Sequence, residues 1–241
     1  MSHLEERLEN DLNDIRSRVQ QQAERVETAV ANAIHALQTG NKKLAYATIL
    51  SDLSINRTMR EIDTICHKFI AVHLPSGSHL RLLSSVIRVN VELERIGDYA
   101  VTIARESAQL SKPPEGSIAR ELDRMASETM LMLRQSIRAF DDLNAEMGRS
   151  TKLLADQMES NLDSIYTEMM TNQDRGKVKD VLAVFVVFTQ LKRVADQAKN
   201  LCEDAIFAET VEQKAPKFYK NLFLDEYNSK IRMAEAIART K

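Results

Sequence analysis

Apolar residues recur along this chain at steps of three and four, with polar residues filling the positions between them. That period puts the apolar side chains on one face of a helix. Val19, Ala23, Val26, Val30, Ala33, Ile34 and Leu37 form a first stripe. Leu44, Ala47, Ile49, Leu53, Ile55, Met59, Ile62, Ile65 and Phe69 form a second with more spread, and Leu82, Val86, Val89, Leu93, Ile96, Ala100 and Ile103 a third. Turn signals are sparse. Gly40-Asn41, Pro75-Ser76-Gly77, the KPPEG run at 112–116, Gly148 and Arg175-Gly176 divide the first 210 residues into six segments. Each segment predicts a helix of roughly 20–35 residues. The run VLAVFVVF at 181–188 has the composition of a buried strand. It has no strand to pair with and continues into Leu191, Val194, Ala198 and Leu201 at helical spacing, so a buried helix is expected.

The segments repeat. LERIGD at 93–98 is echoed by LKRVAD at 191–196, an offset of 98 residues, and DLSIN at 52–56 by ESNLD at 159–163, an offset of 107. The second copy is therefore nine residues shorter between its second and third helices. Three helices joined by short turns must run antiparallel and pack at shallow angles. The expected fold is all-α: two pseudo-symmetric antiparallel three-helix bundles of six long helices, with a short C-terminal tail. The first bundle spans 1–111, a linker 112–117, the second bundle 118–209 and an extension 210–241. A six-helix spectrin-like or coiled-coil rod is the structural alternative.

Composition agrees and removes several function classes. The 241 residues include six Gly, four Pro and no Trp, with abundant strong helix formers. The net charge of −2 comes from interleaved acids and bases, which gives no footprint for nucleic acid. No apolar run reaches bilayer length and the N-terminus MSHLEERLEND has no signal-peptide core, so a cytoplasmic protein without membrane insertion is expected. Cys66 and Cys202 lack a CxxC partner and read as reduced core thiols. His67, His73 and His79 straddle a turn without metal-protease spacing and read as turn or surface residues. There is no phosphate-cradling glycine loop, nucleophile elbow or Cys-His pair. No enzyme is expected.

One chemical feature remains. Asn90, Glu94 and Asp98 follow one another at i+4, a strip of oxygen-bearing side chains on one helix face. Asp52, Asn56 and Asp63 form a similar strip on the preceding helix. If the strips face each other, hard oxygen ligands converge on a site for Mg²⁺, Mn²⁺ or iron. Arg95 cannot ligate but can pair with or orient a carboxylate. The competing reading is that Glu94 and Asp98 form ion pairs with Arg95, Arg57 or Arg60 and fix helix register. In the second copy Lys192 replaces Glu94 and Gln190 replaces Glu92, while Arg193 and Asp196 are kept. Lys brings a cation and no acceptor, so the second site is weaker, with Asp196, Glu159 and Asp163 as its remaining ligand candidates. Asp196 can instead pair with Lys192 at i,i+4.

The segments ALQTGNKKLAYATILSD, DLSINRTMREIDTIC and VELERIGDYAVTIARES, in this order, resemble the first repeat of the PhoU family of phosphate-signalling regulators. That repeat carries an Asp, an Ile-Asn and a later Ile-Asp on its second helix, here Asp52, Ile55-Asn56 and Ile62-Asp63, and LERIGD on its third. The likeness is close over 20–108 and looser over 120–209. It implies two pseudo-symmetric three-helix bundles and a cytoplasmic protein that restrains phosphate uptake and starvation signalling. It further implies contact with the ATPase of the phosphate transporter and with the sensor histidine kinase, and leaves room for a homodimer. It also implies iron, zinc, manganese or magnesium held at E/DxxxD motifs, here around Glu94 and Asp98. A metal-buffering helical protein and a structural helical adaptor are the alternatives.

The tail has a different texture. Residues 217–224 read as a strand and 232–240 as a helix, and LFLDEYNSKIRMAEAIAR resembles the opening of low-molecular-weight tyrosine phosphatases and arsenate reductases. Asp225 stands at the nucleophile position, where a carboxylate repels phosphate. A degenerate remnant without phosphatase activity is expected.

Overall fold

The computed structural model of the protein describes residues 3–159 and 178–210. Six helices are formed by these residues: α1 His3–Thr39, α2 Lys42–His73, α3 Gly77–Gln109, α4 Gly116–Asp141, α5 Ala145–Glu159 and α6 Val178–Thr210. No strand occurs among the described residues. The apolar run at 181–188 is helical, and its Val187 and Phe188 are fully buried. The predicted strand at 217–224 and helix at 232–240 lie outside the described residues.

Sequence explains the turn between α1 and α2. Gly40 adopts φ +66° after α1, and the Asn41 side-chain oxygen accepts from the Leu44 N–H at 3.1 Å, starting α2. The α4–α5 turn departs from expectation. It falls at 142–144, with Leu143 at φ +49°, and not at Gly148, which lies inside α5. Asn144 is the physical reason: its side-chain oxygen accepts from the Met147 N–H at 2.9 Å, while the Glu209 carboxylate accepts from the Ala145 N–H at 2.5 Å. Gly148 serves packing instead. A Cβ there would stand 3.1 Å from the Cys202 carbonyl oxygen and 3.2 Å from Ile206 Cγ1, so its absence lets α5 approach α6 closely.

Helices α1–α3 pack together, as do α4–α6, and the most extensive interhelical contact joins the two groups through α3 and α6. One continuous core results, in which Leu83, Val86, Leu93, Ile96 and Ile103 of α3 meet Phe188, Leu191, Val194 and Leu201 of α6. Polar ties fix the register. Arg88 of α3 bonds Asp204 of α6 at 2.6 Å, Arg193 of α6 lies 5.8 Å from the Tyr99 ring, and Arg134 of α4 pairs with Glu27 of α1 at 2.6 Å. Both cysteines are buried free thiols, and burial pushes each up to about 12, which keeps them protonated and inert. His73 contacts Asp11 at 2.8 Å and packs at a tilt against the Phe69 ring, and His79 lies 3.5 Å from Glu9, so this turn is tied to the start of α1.

Candidate metal centre

The register of α2 against α3 decides which sequence-predicted residues meet. Asn90 Nδ2 donates to the Met59 carbonyl at 2.8 Å, and Gly97 packs directly on Ile55. In this antiparallel register Asp98 comes beside Asp52 and Glu94 near Asn56. A Cβ on Gly97 would stand 3.2 Å from both Ile55 Cδ1 and Ile55 Cγ2, so the glycine of LERIGD sets the close approach of the two helices. At the matching position of the second copy stands Ala195, itself buried in the core.

The carboxylates repel one another. The Asp52 carboxyl is held above the usual aspartate range by burial first and by the Asp98 charge second, with Arg105 and an Asn56 hydrogen bond opposing. The Glu94 carboxyl is also raised, by burial, then by Asp98 and Asp52, with Arg95 opposing. Asn56 Nδ2 donates to Asp52 Oδ2 at 2.8 Å. Asp52 Oδ1, Asn56 Oδ1 and Asn90 Oδ1 are shielded from solvent and accept no hydrogen bond among the described residues.

Two expectations are corrected. Asp63 does not join this cluster: it shares a face with Asp52 but lies eleven residues along α2, about 16 Å at the helical rise, and its carboxylate faces His67 at 3.5 Å. Ion pairing also fails to account for the cluster. Arg95 reaches Glu92 at 3.3 Å and Arg57 reaches Glu61 at 3.7 Å, and among the described residues neither Glu94 nor Asp98 is in an ion pair. The sequence reading missed Arg105, two turns beyond Asp98 on the same face, which is the cation that partly offsets Asp52. Spacing along α3 was its only available signal.

In the second copy Asp196 is paired with the lysine that replaces Glu94. Lys192 Nζ bonds both Asp196 oxygens, at 3.1 and 3.0 Å, and Gln190 is buried. Glu159 ends α5 and Asp163 lies outside the described residues, so the structure carries nothing on their side chains.

The residues of the first copy fit a hydrated hard cation. Their donors are carboxylate and amide oxygens, three of them buried without a hydrogen bond among the described residues, a set that suits Mg²⁺, Mn²⁺ or Fe²⁺ better than zinc. Among the described residues no three His, Cys, Asp or Glu side chains converge tightly enough to cage an ion by themselves. A cation here would keep several waters, as Mg²⁺ commonly does.

The model of the PhoU domain matches residues 19–107 and 122–205, one match per copy. The chain belongs to the PhoU family. A relative from Pseudomonas aeruginosa, named a phosphate-specific transport system accessory protein PhoU homolog, is 29% identical over 212 residues, covering 85% of this chain and 86% of the relative. The Escherichia coli protein named phosphate-specific transport system accessory protein PhoU is 27% identical, covering 83% and 84%. The crystal structure of PhoU from P. aeruginosa superposes with a TM-score of 0.75 at 29% identity, over 83% of this chain and 97% of that one. A PhoU structure from Streptococcus pneumoniae, with a TM-score of 0.78 at 24% identity, shares the fold, over 84% and 97% of the two chains. These relatives are named as accessory or regulatory proteins of phosphate transport, and not as enzymes. The likeness of the tail to a phosphatase is not borne out.

Proposed function

We propose that this PhoU family member is a non-enzymatic cytoplasmic regulator that restrains phosphate uptake and phosphate-starvation signalling. It acts by contact with the ATPase of the phosphate transporter, the sensor histidine kinase, or both. The observation that carries this reading is the pair of PhoU domain matches, together with full-length relatives named as accessory proteins of a phosphate-specific transport system. No helix among the described residues is long and apolar enough to cross a membrane, which suits docking onto a transporter from one side. Deleting the gene is expected to give unrestrained phosphate uptake at high external phosphate, measured with radiolabelled phosphate. Normal repression in the deletion strain would sink the reading.

The same reading includes a divalent cation at Asp52, Asn56, Glu94 and Asp98. Because the Asp52 and Glu94 carboxyls are raised, the folded protein holds protons there that the unfolded chain has already released. Stability therefore falls as pH rises from the ordinary carboxylate range, about 4, up through the folded values. A cation bound among the carboxylates opposes that loss. Mn²⁺ is expected to raise the melting temperature at pH 7.5 and to do so much less at pH 5. At 100 times its dissociation constant the stabilisation is about 2.7 kcal/mol. Asp98→Asn is expected to stabilise the metal-free protein at pH 7.5 by about 0.5–1 kcal/mol and to abolish the Mn²⁺ effect. Equilibrium dialysis with Mn²⁺, Fe²⁺ and Zn²⁺ checks binding directly. No metal retained by the unaltered protein removes the cation and the metal-buffering alternative, and leaves regulation by protein contact in place.

A further inference from the structure

Helix α2 carries two apolar faces. One is the core stripe of Ala45, Ile55, Ile62, Cys66 and Phe69. The other points away from the bundle: Tyr46, Leu50 and Leu53 are 58%, 68% and 73% exposed. These three and Arg57 and Arg60, both also exposed, follow at steps of four, three, four and three, the a/d spacing of a helix that packs against another helix. Within α1–α3 nothing covers this seam, because α1 and α3 both pack on the opposite half of α2.

The charges on the seam line itself are of one sign, while the acids Asp52 and Glu61 flank it. Lys42 and Lys43 stand exposed at its start and Arg57 and Arg60 at its end. Beside the arginine end runs a groove of about 540 Å³ between α1 and α2, lined by Arg18, Leu53, Arg57, Arg60, Glu61 and Ile65. Arg57 is engaged only loosely by Glu61, at 3.7 Å. An occupant must therefore be apolar in the middle and acidic at both ends.

That requirement separates the occupants. A second copy, packed antiparallel about Leu50 and Leu53, sets Arg57 and Arg60 against the other copy's Tyr46 and Lys42–Lys43 end, cation facing cation. The chain's own segment 211–241 holds seven Lys and Arg against four Asp and Glu, the wrong sign. An anionic bilayer meets the cations, but it also meets Asp52, Glu94 and Asp98 on the adjoining face, whose carboxylates already repel one another. Three apolar residues in a single line are moreover a narrow face for lipid. A single helix touches the seam and avoids that acidic flank.

We propose that the outward face of α2, Tyr46, Leu50 and Leu53 between Lys42–Lys43 and Arg57–Arg60, is the docking surface for an amphipathic helix of a partner protein whose apolar centre is flanked by acidic residues. The inference rests on, and deepens, the contact reading above by giving the partner's recognition element its chemistry. The seam from Lys42 to Arg60 spans about 27 Å, so some five turns of partner helix are engaged.

The test uses the full chain and stapled helical peptides of about five turns, with leucines at the central a/d positions and glutamates at both ends, against a matched peptide with lysines at the ends. Fluorescence anisotropy is expected to show at least tenfold tighter binding of the acidic peptide. Leu50→Glu with Leu53→Glu removes that binding, and Arg57→Glu with Arg60→Glu reverses the preference; neither pair touches the core stripe, and circular dichroism checks that both variants fold. Equal binding of the two peptides, or no binding of the acidic one at millimolar concentration, overturns the proposal. So does a dimer in sedimentation equilibrium that the leucine pair dissolves, or Leu50- and Leu53-dependent binding to phosphatidylglycerol vesicles in place of the peptide. In a deletion strain the unaltered gene restores repression of phosphate uptake, while both folded variants are expected to lose it. Repression kept by both variants overturns the docking surface, whereas failure of the unaltered gene overturns the regulatory reading and not the peptide result.

Discussion

Arg88→Met is expected to destabilise the protein by about 3 kcal/mol at pH 7.5, and most of that loss is expected to vanish by pH 4. Arg88 joins the two repeats where they meet. Its guanidinium bonds Asp204 through Nε at 2.6 Å and Nη2 at 2.5 Å, with further bonds to Ser84 and Ser85, and it lies 4.9 Å from the Phe207 ring. The Asp204 side chain is only 10% exposed, while that of Arg88 is 46% exposed. Removing the arginine leaves a carboxylate buried without its cation, whereas removing the carboxylate leaves an arginine that water can reach. Asp204→Asn is therefore expected to cost less, about 1–2 kcal/mol.

The sign of the pH dependence follows from Asp204. Burial raises its carboxyl above the ordinary aspartate range even with Arg88 opposing, and loss of Arg88 raises it further. Between the unfolded value, about 3.9, and the raised folded value, the native state binds the extra proton, so stability declines as pH rises through that window. Because the unfolded chain is common to both proteins, the deficit of Arg88→Met is complete above the variant's further-raised folded value and absent below the folded value of the unaltered protein. Urea unfolding of both proteins at pH 4, 5.5 and 7.5 measures it. A difference that stays constant across the three would mean that lost packing on Phe207, and not the stranded charge, carries the effect.

This crosslink also marks where sequence reading stops. The period of the apolar residues was enough to give the helices, to choose helix over strand for 181–188 and to pair Lys192 with Asp196, because each depends on spacing within one helix. The structure also brings Asp52, Asn56, Glu94 and Asp98 near one another, because the i+4 strips of α2 and α3 lie side by side. Asp63 shows the missing quantity. A shared face does not fix position along the axis, and only the register set by Asn90 on Met59 and Gly97 on Ile55 puts Asp63 out of reach. The Arg88–Asp204 bond spans 116 residues and depends on the register of one repeat against the other, which no local period encodes.

Two further features were visible as letters but not as roles. Gly148 reads as punctuation in a helical chain, yet it sits in the first turn of α5 because α6 approaches it and Asn144 supplies the cap a few residues earlier. The spread of apolar positions on α2 was a real signal. One stripe cannot hold both Ile55 and Leu53, and the surplus is the outward seam, legible only once the core side is known.

Gly97→Leu is expected to cost about 2–3 kcal/mol and to uncouple the carboxylate cluster. A Cβ at this position already crowds two Ile55 carbons at 3.2 Å, and the branched end of leucine has to enter the volume that Ile55 fills. Gly97→Ala is the control: the gain in helix propensity, about 1 kcal/mol, sets against a displacement of a few tenths of an ångström, so it should be close to neutral. Combining Gly97→Leu with Ile55→Ala restores room and is expected to recover most of the loss, a coupling that a double-mutant cycle in urea reads directly. The functional consequence is separable from the stability one. Forcing α2 away from α3 draws Asp52 away from Asp98, so the repulsion that raises the Asp52 and Glu94 carboxyls weakens. The Mn²⁺-dependent rise in melting temperature should then shrink in Gly97→Leu and return in the double variant. Metal stabilisation unchanged in Gly97→Leu would show that the cation does not sit between the two helices.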